Sequence, residues 1–100
     1  MNRYNNLIEY FGVRNQMKKL SEECYELIEA IDNYEDLNLL HDMEDKDVFR
    51  NHVVEEMGDV LILLTQFIAK YNIEKYELDA VMDYKLDRTD ERIASGYYEK

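Results

Sequence analysis

Proline is absent, and glycine occurs at only three positions, Gly12, Gly58 and Gly96. Sheets joined by tight turns need more turn residues than that, so the punctuation favours a few long helices. Cys24 is the only cysteine, which rules out an intrachain disulfide and gives no sign of an oxidising compartment. It falls in an amphipathic helical pattern, where a buried, inert thiol is expected rather than a nucleophile. Basic residues are few, 12 against 23 acidic ones, for a formal charge of −11. That balance excludes a general electrostatic attraction to nucleic acid or to an anionic membrane. It suits a protein that gathers cations, or one whose acidity serves solubility. Long apolar runs are also missing: the longest, Val60–Leu64, is far too short to span a bilayer. Met1–Phe11 is polar and carries no signal-peptide pattern. A soluble cytoplasmic protein is the expectation.

What remains is a chain of 100 residues, 46% of them hydrophobic. One domain over residues 1–100 fits that length. Four helices are predicted. The first covers about Tyr4–Phe11 and is ended or bent by Gly12. The second covers about Val13–Asn33, with Met17, Leu20, Cys24, Leu27, Ile28 and Ile31 at helical spacing. The third covers about Phe49–Tyr71, with a stripe of Val53, Val54, Met57, Val60, Leu61, Leu64, Phe67 and Ile68. Ile62 and Leu63 carry its apolar surface most of the way round. A helix apolar on nearly every side is normally buried on nearly every side, which in so short a chain implies a partner subunit. The fourth covers about Ile73–Ala94, with Ser95–Gly96 as its stop. Between helices two and three, Tyr34–Val48 is acidic, and its Leu37, Leu39, Leu40 and Met43 suit a short turn of helix. A connection that long in a compact domain is often functional. The expected architecture is all-α, an antiparallel bundle of about four helices assembled as an oligomer.

One internal repeat stands out. Leu20-Ser21-Glu22-Glu23-Cys24-Tyr25-Glu26-Leu27-Ile28 aligns with Val53-Val54-Glu55-Glu56-Met57-Gly58-Asp59-Val60-Leu61, 33 positions later at every residue. Both read apolar, any, acid, acid, any, any, acid, apolar, apolar. Glu23 lies roughly 90° from its stripe centre and Glu56 roughly 100° from its own. Glu26 and Asp59 follow one turn on, on the same flank.

Residues three apart on a helix are neighbours, so Glu23 and Glu26 point side by side, as do Glu56 and Asp59. Like charges at that spacing repel. Ala30 and Leu63 share the flank, so the acids sit beside apolar surface. Antiparallel packing along it would bring four carboxylates together. Such a cluster must protonate or bind a cation, and hard oxygen ligands suit Mg²⁺ or Mn²⁺. The competing reading is a solvated acidic face, which fits Glu22, Glu29 and Glu55, since these point away from the stripe. The repeat argues against it for the other four. Gly58, mid-helix at a cost of roughly 1 kcal/mol against alanine, suggests a close helix approach beside the site. A di-iron bundle wants Glu-x-x-His pairs, but His41 and His52, the only histidines, do not follow a glutamate by three. An EF-hand wants a glycine at its sixth position, and the acidic stretch His41–Asp47 has none.

Glu22-Glu23-Cys24-Tyr25-Glu26 followed by Glu56-Met57-Gly58-Asp59 resembles the MazG-like branch of the all-α nucleoside triphosphate pyrophosphohydrolases. The wider superfamily also contains dimeric dUTPases, dCTP pyrophosphatases and phosphoribosyl-ATP pyrophosphohydrolases. The flanks agree: Lys19-Leu20 before the first block, Leu27 after it, and Asp59-Val60-Leu61 closing the second. The likeness covers most of Val13–Gly96. It implies Mg²⁺ held by Glu23, Glu26, Glu56 and Asp59. It implies cleavage of a (d)NTP to the monophosphate and pyrophosphate, with Glu22 or Glu23 orienting or deprotonating the attacking water. It also implies a homo-oligomer, a dimer or a tetramer. The departure is the gap between Glu26 and Glu56, 29 residues long. It places extra chain in Tyr34–Val48, which bears on the nucleoside pocket more than on the metal.

Lys85, Arg88 and Arg92 fall within about 60° of one another on helix four. They resemble the family's basic residues on the last helix, and phosphate oxygens would satisfy them. Pairing with acids such as Glu91 is the alternative. Lys19 could reach a phosphate or simply cover apolar surface. Tyr97 and Tyr98 read as packing or tail residues, with stacking on a base as the alternative. The expected function is nucleotide-pool cleaning by a nucleotide pyrophosphohydrolase. Two rivals stand beside it. One is a catalytically weak or inactive interaction or nucleotide-binding protein of the same fold. The other is a narrow-substrate relative acting on dUTP, dCTP or a phosphoribosyl nucleotide.

Overall fold

The computed structural model describes residues 2–39 and 46–99, with side chains omitted at 37–39. Four helices follow in order: α1, Arg3–Phe11; α2, Val13–Leu39; α3, Lys46–Lys70; and α4, Lys75–Ala94. There is no strand among the described residues. Both long helices exceed their predicted bounds into Tyr34–Val48. The described helices take up that segment except for residues 40–45, and Leu40 and Met43 lie outside the described residues.

The ends of the helices follow from local chemistry. The Asn2 side chain accepts from the Tyr4 amide at 2.7 Å and from that of Asn5 at 3.3 Å, capping α1. Gly12 ends α1 at φ 90°, a conformation open to glycine and strained for other residues. Its N–H donates to the Ile8 carbonyl at 2.8 Å, and its own carbonyl accepts from Gln16 at 3.1 Å. One residue therefore closes α1 and opens α2. The end of α3 is a Schellman turn on Asn72, φ 54°, with Asn72 N–H on Ala69 O at 3.2 Å and Ile73 N–H on Ile68 O at 3.0 Å. The predicted stop at Ser95–Gly96 is the same motif: Gly96 N–H meets Ile93 O at 3.2 Å and Tyr97 N–H meets Arg92 O at 2.9 Å.

Helices α2 and α3 pack antiparallel, and α1 lies against both, with Ile8 fully buried. A Lys70–Glu9 ion pair of 2.9 Å ties α1 to the end of α3. The contact face of α2 is Gln16, Glu23 and Ala30, a seven-residue spacing that returns to nearly the same side of a helix. On α3 it is Val53, Val60, Leu63 and Gln66. The two helices thus meet along the flank that bears the acids. Much of each apolar stripe faces outward instead: Ile28 is 64% exposed and Leu61 59%, with Met17, Val54, Met57 and Leu64 also exposed.

Helix α4 packs against none of the other three, and it has no buried residue. The radius of gyration is 17.7 Å, against roughly 13 Å for a compact chain of this length. One chain leaves its main apolar faces and its last helix uncovered. No described helix is long and apolar enough to cross a membrane.

Gly58 departs from expectation. A Cβ built there would meet nothing within 4 Å, so no close helix approach within the chain requires the glycine.

Candidate metal centre

Glu23 sits in the seam between α2 and α3 and is only 6% exposed. It faces two acids of α3, Glu56, which is half-buried, and Asp59, which is exposed. Each of the three offers a carboxylate oxygen such that all three oxygens lie within 4.8 Å of one another. Antiparallel packing of α2 on α3 brings together three of the four acids expected there, without Glu26.

The partners of these oxygens are incomplete. Lys19 Nζ lies 3.0 Å from Glu23 Oε1. His52 Nε2 stands 3.8 Å from Glu56 Oε1 and its Nδ1 3.8 Å from Glu55 Oε2. The second oxygens, Glu23 Oε2 and Glu56 Oε2, are buried with no hydrogen-bond partner among the described residues. A buried carboxylate oxygen without a donor is costly, and the usual remedies are a proton or a cation. One Lys19 ammonium cannot neutralise a group of this many acids.

Glu26 adjoins the cluster. A side-chain hydrogen bond with Glu23 raises the Glu26 carboxyl pKa above its usual range; the Glu23 charge, desolvation and Glu56 push the same way, and Lys19 opposes them. Lys19 shifts in the same direction in the same negative field: its hydrogen bond to Glu23 and the Glu23 charge hold its ammonium pKa above the usual lysine value.

The donor set is all oxygen and anionic, with no cysteine in it. Those are the ligands that hard divalent cations such as Mg²⁺ and Mn²⁺ take. The convergence and the two orphaned oxygens fit such an ion.

A cleft of about 630 Å³ opens beside the acids. Lys19, Glu22, Glu23 and Asp59 form one side of its lining. Leu7, Phe11, Ile62 and Leu63 supply apolar surface, and Gln16 and Gln66 lie further along. Glu22, read from the sequence as pointing into solvent, is exposed but lines this cleft.

The basic residues of the last helix are not brought to the acids within one chain. Lys85, Arg88 and Arg92 lie on α4, which touches none of the helices that build the cleft. The Arg88 guanidinium lies 5.5 Å from the Tyr84 ring centroid, and that of Arg92 4.7 Å from the Tyr97 ring. Among the described residues neither arginine pairs with Glu91, and Arg88 Nε is buried without a partner. Tyr97 and Tyr98 meet edge to face at 5.1 Å and stay exposed. Cys24 is half-buried and free. His41 lies outside the described residues.

Sequence reasoning passed over Gln16, Gln66 and Phe11, and weighed His52 only for a di-iron pair. A signal existed for the glutamines: Gln16 precedes Glu23 by one heptad and Gln66 follows Asp59 by one, so both continue the acidic flank. They were missed because attention to apolar stripes hides a polar seam.

A family model described as the MazG nucleotide pyrophosphohydrolase domain matches residues 11–93. No curated protein and no solved structure matches the chain.

Proposed function

The chain belongs to the MazG nucleotide pyrophosphohydrolase family, and we propose that it is a Mg²⁺-dependent enzyme that cleaves a (d)NTP to the monophosphate and pyrophosphate. The observation that carries this reading is the meeting of Glu23, Glu56 and Asp59 oxygens within 4.8 Å, with two orphaned oxygens among them.

In this reading Glu23, Glu56 and Asp59 hold the metal, with Glu26 completing the set. A bound Mg²⁺ would neutralise triphosphate oxygens and lower the pKa of a coordinated water. The chain's own residues do the rest. Glu22 lines the cleft beside the acids, is exposed and carries no ion pair among the described residues, so it can accept a proton from water. Glu23 is the alternative base, although its tie to Lys19 and its place in the seam favour a ligand role. Lys19, on the same wall, supports Glu23 in the resting protein and can turn to a phosphate when substrate enters. Attack of water on the α-phosphorus breaks the α–β anhydride, and pyrophosphate leaves with the electron pair.

Lys85, Arg88 and Arg92 bind phosphate only if a second chain brings α4 to the cleft. The uncovered stripes of α2 and α3 and the unpartnered α4 support a homo-oligomer, a dimer or a tetramer. The lone, free cysteine suits a cytoplasmic setting for such a nucleotide-pool enzyme.

The test is pyrophosphate release over a panel of (d)NTPs with Mg²⁺, with Mn²⁺ and with chelator. Metal-dependent release of pyrophosphate with the matching monophosphate is expected. Release of orthophosphate, or none from any nucleotide, would defeat the proposal.

A further inference from the structure

Gln16 and Gln66 present a second polar feature in the same cleft. Gln16 is 7% exposed and Gln66 2%, and both line the cleft wall. Gln16 Nε2 donates to Gln66 Oε1 at 2.8 Å, a buried bond between helices. Each carboxamide has two N–H donors and a carbonyl oxygen that accepts twice. One mutual bond leaves further donors on both nitrogens and acceptor capacity on both oxygens. Among the described residues no other side-chain hydrogen bond uses it. Two apolar side chains would join the helices without leaving polar groups to satisfy.

The position of the pair is informative. Gln16 lies seven residues before Glu23 and Gln66 seven after Asp59, which places it roughly 10 Å from the acids along the helix axes. That is about the reach of a nucleoside from its 5′-phosphate to the far edge of its base. The cleft also offers apolar surface: Phe11 and Ile62 line it and keep much of their side chains exposed. An aromatic face and an aliphatic one suit the flat surface of a base, and the carboxamides suit its edge.

We propose that the Gln16–Gln66 pair is the base-reading element of this chain, so that the cleft takes a nucleoside phosphate rather than a bare polyphosphate or a phosphoribosyl group. The assignment rests on the nucleotide reading above. The pair offers a donor beside an acceptor, the pattern that amino- and keto-bearing bases present on their pairing edges. Flipping both amides together keeps the mutual bond and inverts the outward pattern. The pair therefore accepts either type of base, and it discriminates a base from no base more strongly than one base from another.

The experiment is a calorimetric titration of the full-length protein with Mg²⁺ and α,β-imido analogues of the four dNTPs, with inorganic tripolyphosphate as the probe that lacks a base. The wild-type protein is expected to bind each analogue at least about 10-fold more tightly than tripolyphosphate, and the four bases within about 10-fold of one another. Gln66→Met and Gln16→Met keep the side-chain length and remove the amide. Each is expected to weaken the analogues by about 10-fold and to leave tripolyphosphate unchanged. Circular dichroism identifies a variant that has lost its fold, and the other variant then carries the test. Equal affinity of the wild type for analogues and tripolyphosphate overturns the inference. So does a parallel loss for all probes in a folded variant, the mark of a merely structural contact. If pyrophosphate release is absent but the analogues bind in a glutamine-dependent way, the hydrolase reading fails and base reading stands. If release is present and base preference ignores both glutamines, base reading fails and the hydrolase stands.

Discussion

Gln16 meets Gln66 at 2.8 Å across the α2–α3 seam, and that contact marks the register which sets Glu23 opposite Asp59. Both helices run seven residues from the amide pair to the acids, in opposite chain directions. A shift by one residue would turn each acid about 100° away from its partner.

Cation binding should stabilise the fold independently of catalysis. At a free Mg²⁺ or Mn²⁺ concentration 100 times its Kd, linkage adds about 2.7 kcal/mol. For a domain of this size each kcal/mol moves Tm by about 4–8 °C. A thermal melt with metal and with chelator measures the shift. Glu23→Gln should remove most of it, and an equal shift in that variant would dismiss Glu23 as a ligand.

Turnover should depend on the α3 acids. Glu56→Gln and Asp59→Asn are each expected to lower pyrophosphate release by at least about 100-fold, beyond the usual loss from outer-sphere changes, with helicity intact. Both variants should keep the folded circular dichroism spectrum, since each replaces a charge with an amide of the same shape. Full activity in both would falsify the assignment of the site.

The Glu26 carboxyl should make the metal-free protein less stable as pH rises. Its folded-state pKa is raised above the ordinary value of 4.5, chiefly by its hydrogen bond with Glu23 and the Glu23 charge. The folded state therefore holds a proton that the unfolded chain has released, and stability falls as pH climbs from about that ordinary value through the folded pKa. Urea denaturation in chelator across pH 4–8 should show this slope in the wild type and a flatter one in Glu26→Gln. Identical slopes would place Glu26 outside the cluster's field. Saturating Mg²⁺ should offset the loss at the upper end, since the ion replaces the proton.

The exposed apolar stripe should behave as a subunit interface. On an isolated chain, Leu61→Glu at a 59% exposed position would change stability by no more than about 0.5 kcal/mol. In an oligomer it buries a charge in an apolar contact. Sedimentation velocity is expected to show an oligomer for the wild type and a smaller species for Leu61→Glu or Ile28→Glu. Activity should fall with it, because α4 and its Lys85, Arg88 and Arg92 would no longer be brought to a cleft. A wild type that sediments as a monomer at working concentration would remove the interface.

Local signals carried much of the fold. Gly12 and Ser95–Gly96 end their helices as read, because φ and capping are properties of a few adjacent residues. The tail of α2 was misjudged, since Tyr34–Leu39 is acidic and its apolar spacing is weak, yet it continues the helix. The acids were legible through their repeat. The glutamines were not, because a buried amide and a solvated one look alike along a chain.

The sequence by itself determined four helices, their stops, and two acidic blocks at matching phase, because periodicity and capping depend on neighbours within a turn or two. Only the tertiary structure decided which side of each helix faces inward. Burial follows from what α2 and α3 offer each other across the seam: Gln16, Glu23 and Ala30 met Val53, Val60, Leu63 and Gln66, and much of each apolar stripe was left outside. Pairing of that kind joins residues 33 to 50 positions apart, as Glu23 with Glu56 and Gln16 with Gln66, and no local pattern along one helix contains it.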